Sequence, residues 1–139
     1  MPAPAVAAGS DREKIILETS QGRHEIMAEI ARTDAEKARG LMFRRSIGGD
    51  QGMLFPYTRS QEIRMWMRNT YISLDMIFIT GDGRVHRIER NTEPLSEEII
   101  VSKGKAAAVL ELKGGSAARF GLEPGDKIIH SFFKNAAAE

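Results

Sequence analysis

The chain contains no cysteine. Disulfides, thiolate metal sites and cysteine nucleophiles are excluded together by that absence. Histidine is sparse: His24, His86 and His130 are far apart and lack metal-ligand spacing. No G-x-S-x-G element marks a serine nucleophile, so pairing any serine with these histidines would be arbitrary. Aromatic residues make up only 6% of the chain, and Trp66 is its single tryptophan. No apolar run approaches the roughly 20 residues a membrane-spanning helix needs. The 20 basic and 19 acidic residues are interspersed. No basic stripe interleaved with aromatics is present, which argues against a nucleic-acid partner.

What is present fits one domain. A chain of 139 residues can bury a core without staples. The domain is expected over residues 13–133, after a disordered N-terminal segment at 1–12 and before a frayed tail at 134–139. Residues Met1 to Ser10 are rich in Ala and Pro and have no basic n-region. They do not form an intact signal peptide, but they resemble the mature start left after one is removed. The expected location is therefore periplasmic or secreted, with a cytoplasmic protein as the alternative.

Apolar alternation and turn residues predict a β protein. Glu13–Thr19 and His24–Ala31 read as two strands around a Gln21-Gly22 turn. Thr33 and Glu36 have capping-box spacing, so a short helix is expected to begin there, with Gly40 as its stop. Met53–Phe55 reads as a strand ended by Pro56, and Glu62–Met67 as another, with Arg64 and Trp66 sharing a face. Leu74–Thr80 is almost continuously apolar, which predicts burial on both faces. An Asp82-Gly83 turn leads to Arg84–Arg90, whose phase slips near Arg87 as a bulge would make it. Strands at Ile99–Val101 and Ala106–Leu112, a helical turn from Gly114 to Phe120 and a last strand at Lys127–Phe133 complete the pass. Eight or nine short strands with one or two short helices define a mainly β fold. A small jelly-roll-like β-sandwich or a distorted barrel fits that count.

Met65 to Ile79 is the most informative stretch. It holds Trp66 and a polar Arg68-Asn69-Thr70 break between two apolar runs. The blocks Arg39-Gly40-Leu41-Met42-Phe43-Arg44, Gly52-Met53-Leu54-Phe55, Trp66-Met67-Arg68-Asn69-Thr70 and Leu74-Asp75-Met76-Ile77-Phe78-Ile79 resemble the DUF192 family, also called UPF0127. Val109–Leu112 and Gly121–Asp126 fit the same pattern. Ser73 departs from it, standing where the family usually has Pro. The resemblance implies a compact, mainly β, jelly-roll-like domain, often exported in bacteria, and transfers no catalytic residues. Gly114 to Ile129 is also similar to a segment of bacterial PDZ domains, but the upstream peptide-binding loop is missing.

The candidate ligand-binding residues are Arg39, Arg44, Trp66, Arg68, Asn69, Thr70, Asp75 and Glu111. An aromatic wall packs on C–H surfaces while amides and carboxylates bind hydroxyls. The expected function is a non-enzymatic exported module that binds a small molecule, saccharide or peptide near Trp66–Asp75. The alternative is a hydrolase-type enzyme using Asp75 and Glu111 with an Arg partner. Simple alternation, however, would turn Glu111 outward, and Asp75 fits a turn-locking role that needs Arg39, Arg44, Arg68 or loop N–H donors. A second alternative is Cu(I) binding by Met42, Met53, Met65, Met67 and Met76, a set that packing explains better. No metal site or cofactor is called for, and oligomeric state is not readable from the chain.

Overall fold

The structure is a computed structural model in which residues 11–136 are described. Seven strands form one sheet: β1 (Arg12–Thr19), β2 (Gly22–Ile30), β3 (Gln51–Met65), β4 (Leu74–Ile79), β5 (Val85–Glu89), β6 (Ile100–Lys113) and β7 (Lys127–Ile129). Their order is β5-β4-β6-β3-β2-β1-β7. All neighbours are antiparallel except β2 and β3, which run parallel. The sheet curls until its edges meet at a bridge between Arg84 and Lys127. The fold is thus mainly β, and of the two forms expected it is nearer the distorted barrel. Two short helices complete it, α1 (Asp34–Arg39) and α2 (Ser116–Phe120).

Three expected strand boundaries change. Pro56 does not end a strand, because β3 runs through it to Met65. Leu54 gives its carbonyl to the Ala31 N–H, so the backbone of Leu54 faces β2, and that of Pro56, two residues on, faces the same way. The last β2 partner is Ile30, opposite Leu54, so the proline nitrogen faces no strand that needs a donor. Register shifts between Pro56 and Gln61 then absorb the irregular sequence. The two segments 99–101 and 106–112 likewise join into β6. The last strand stops at Ile129, because His130 Nδ1 accepts from the Phe132 N–H and starts a 3-10 turn over Ser131–Phe133. Of the expected tail at 134–139, the described part is held at Asn135. Asn135 donates to the Ile128 carbonyl at 2.9 Å and accepts from the His130 N–H at 3.0 Å. Residues 1–10 and 137–139 lie outside the described part, and with them most of the expected N-terminal segment.

Other local expectations hold in detail. Thr33 and Glu36 form the reciprocal capping box at α1, and the helix stops at Gly40 with φ 49°. The β4–β5 register slips between Phe78 and Ile79, opposite His86 and Arg87.

Alternation along the central strands creates two apolar clusters, one on each face. Inside the curl, Ile15, Leu17, Ile26, Leu54, Ile77, Leu110 and Leu112 pack with Phe120 and Leu122. On the other face, Met53, Phe55, Met76, Phe78 and Val109 pack with Leu41, Ile63 and Met67. This explains the continuous apolar run of β4, every residue of which is buried.

Asp75 ties α2 to the inner face. It is 1% exposed. Its Oδ1 accepts from the Asn91 N–H at 2.8 Å. Its Oδ2 accepts from the N–H groups of Gly115 at 3.1 Å and Ala117 at 2.8 Å. Loop and helix N–H groups, rather than an arginine, satisfy this carboxylate. Asp75→Ala leaves three backbone donors without their acceptor and should cost about 3 kcal/mol or more. Urea denaturation measures this; a loss below about 1 kcal/mol would contradict the anchoring role.

Candidate functional site

The outer face carries a recess of about 290 Å³ between α1 and the end of β3. The capping box and Gly40 fix the length of α1. A Cβ at Gly40 would lie 3.3 Å from Phe55 Cζ, so this position sets how closely the helix end approaches β3. Lys37 and Arg39 of α1 line the recess, with Asp34 from its first turn. Tyr57, Arg64 and Met65 of β3 form the opposite side, continued by Trp66, Arg68 and Thr70. Glu111 of β6 also lines the recess, and it is only 4% exposed. A shallower depression of about 530 Å³ continues from it past Met42 and Asn69.

The register explains Glu111. It stands opposite Met53 on β3 and Met76 on β4, so it projects on the outer face among apolar neighbours. Alternation alone had suggested that it faces solvent. The correction is that this face is itself covered by the second core. Burial alone pushes its pKa up to about 8. At neutral pH this carboxyl is therefore protonated, and it can donate a hydrogen bond.

The rim is cationic and partly aromatic. The Arg68 guanidinium lies over the Trp66 ring at 5.3 Å, and the Lys37 ammonium over Tyr57 at 5.2 Å. Arg68 Nε is 3.8 Å from Glu97, both side chains being exposed, a weak pair that leaves the guanidinium free to engage other anions. Burial, and after it the Glu111 charge, raises the Tyr57 pKa, so its hydroxyl stays protonated. That hydroxyl points to Met65 Sδ at 4.0 Å.

Of the sequence candidates, Arg39, Trp66, Arg68, Thr70 and Glu111 line the recess and Asn69 lines its shallow extension. Asn69 has φ 54°, a left-handed geometry that asparagine tolerates. Two candidates lie elsewhere. Arg44 pairs through both terminal nitrogens with the buried Glu29, at 2.5 and 2.8 Å. Asp75 faces the inner core: it stands opposite Leu112 where Met76 stands opposite Glu111, so the two carboxylates project from opposite faces. The Asp75–Glu111 acid/base couple of the alternative reading is not formed. Met53, Met67 and Met76 are core residues, and Met67 Sδ accepts from the Thr92 hydroxyl at 3.2 Å. Among the described residues no group of three His, Asp or Glu could hold a metal.

Lys37, Tyr57 and Arg64 are recess residues that sequence reasoning passed over. For Arg64 a signal existed, since it alternates onto the face of Trp66. Tyr57 was hidden behind the supposed strand end at Pro56.

A curled β-barrel with a cationic, tryptophan-edged recess over a buried acid is the class that fold and site define. The profile of DUF192, described as an uncharacterized ACR, matches residues 15–130, and the chain belongs to that family. A crystal structure from Novosphingobium aromaticivorans DSM 12444, a protein of unknown function, is 43% identical with a TM-score of 0.85, covering 93% of this chain and 94% of that one. Another, from Sinorhizobium meliloti 1021 and described as a candidate transcription regulator, is 38% identical with a TM-score of 0.87, covering 93% and 99%. No match was found among curated proteins.

The raised pKa of Glu111 has a signed consequence for stability. The folded state keeps the proton while the unfolded chain loses it, so this group destabilises the fold increasingly from pH 4.5 to about 8. The slope is about 1.4 kcal/mol per pH unit at most. Glu111→Gln should therefore gain stability over the wild type as pH rises through that window, measured by urea denaturation. An unchanged difference between the two proteins across the window would contradict the buried neutral carboxyl.

Proposed function

We propose that this chain is a binding module for a small acidic saccharide, a sugar carrying a carboxylate or phosphate. The observation that carries the reading is the convergence of Lys37, Arg39, Arg64 and Arg68 with Trp66 around one recess. Cations at a rim select an anionic group, and guanidinium forks suit carboxylate and phosphate oxygens. Trp66, 38% exposed, supplies a face on which the C–H side of a sugar ring can pack. The volume lies near the lower end of small-ligand sites, which run from about 300 to 1,000 Å³. That size favours a monosaccharide over a longer peptide. A hydrolase built on Asp75 with Glu111 has no geometric support, because those carboxylates face opposite sides of the sheet.

Isothermal calorimetry with D-glucuronate, glucose 6-phosphate and glucose tests the reading. At low salt at least one of the acidic sugars should bind, at least about tenfold more tightly than glucose, and added salt should weaken it. Arg68→Gln and Trp66→Ala should each lower its affinity about tenfold while leaving the fold intact by circular dichroism. Equal affinity for glucose, or no binding of either acidic sugar, would contradict it.

A further inference from the structure

The acid in the recess is set apart from its charges. Around Glu111, β3 presents Tyr57 and Arg64, α1 presents Asp34, Lys37 and Arg39, and the segment after β3 presents Arg68. The cross-strand neighbours of Glu111 are Met53 and Met76. Burial is the sole cause of its shift, so none of the surrounding cations offsets it. The same carboxyl is more than nine-tenths buried and still borders the open recess. A carboxyl held among apolar neighbours yet open to a recess is the kind of group that collects at functional sites.

We propose that Glu111 is the specificity-determining residue of this recess: its carboxyl O–H donates a hydrogen bond to a hydroxyl or carbonyl oxygen of the acidic saccharide whose anionic group the rim cations hold. The inference rests on the binding reading above and adds the atom that reads the uncharged end of the ligand. A ligand amine is disfavoured there, because it would have to pass four cations. An anionic group is disfavoured at the floor once Glu111 ionises, because two negative charges would share an apolar pocket. Binding is therefore gated by a proton. Accepting the hydrogen bond stabilises the protonated form, so the bound protein holds that proton to higher pH than the free protein does.

The test has a ligand-free arm and a ligand arm. In the first, carbon-13 NMR of glutamate-labelled protein follows the Glu111 carboxyl, assigned by its loss in Glu111→Gln. It should titrate well above the other glutamates and move higher when D-glucuronate is added. A midpoint in the ordinary glutamate range overturns this inference and leaves the binding reading standing. In the second, calorimetry with D-glucuronate compares wild type, Glu111→Gln and Glu111→Ala from about pH 6 to about pH 9. Wild-type affinity should fall as Glu111 ionises, by up to about tenfold per pH unit above its midpoint. Glu111→Gln keeps an N–H donor, so it should bind within about threefold of wild type at about pH 6 and hold that affinity as pH rises. Glu111→Ala should be weaker throughout. Identical pH profiles for wild type and Glu111→Gln overturn the inference. No binding of D-glucuronate or glucose 6-phosphate by wild type at any pH overturns it together with the binding reading.

Discussion

The site depends on the register of β6. Over Ala108–Leu112 this strand is hydrogen-bonded on both sides, to β3 and to β4, and it cannot slip without both neighbours. Side chains alternate with a period of two, so a one-residue slip would turn Glu111 into the inner core and bring Leu112 to the recess. The pairing fixes which face each acid occupies. It also keeps Leu110 and Leu112 in the inner core while Val109 joins the outer one.

Two buried carboxylates on adjacent strands consequently serve opposite ends. Asp75 has three backbone donors and fixes α2 to the sheet. Glu111 has apolar strand neighbours and an opening toward solvent. A carboxylate surrounded by N–H groups has its lone pairs satisfied, whereas one in an apolar shell is stable as an acid. The same side-chain chemistry thus gives a structural anchor on one face and a hydrogen-bond donor on the other. The helix α1, fixed by its capping box and by Gly40 against Phe55, completes the recess over the second.

Much of this was legible in the chain. The capping box at Thr33, the bulge near Arg87 and the apolar run of β4 each follow from local rules, and the structure has all three. The grouping of Trp66, Arg68 and Thr70 was also readable, since they sit together at one polar break. Less legible was the long reach of β3, because a proline within a strand is tolerated only where no partner needs its nitrogen, a fact of topology. The burial of Glu111 was hidden for the same reason. Alternation says which face a residue is on, but not whether a helix and a turn cover that face. Arg44 was misplaced because its partner, Glu29, lies on a strand that meets β3 in parallel, a contact no local pattern announces.

The measurement that addresses the central claim most directly is a nitrogen-15 correlation spectrum of the labelled protein during titration with D-glucuronate. The account predicts shift changes confined to α1, the Tyr57 and Arg64–Thr70 segments and the β6 amides around Glu111. Amides of α2 and of Asn91, bonded to Asp75 on the other face, should stay still. Shifts centred on α2 and Asn91, or scattered over the surface without reaching Trp66 and Glu111, would contradict it.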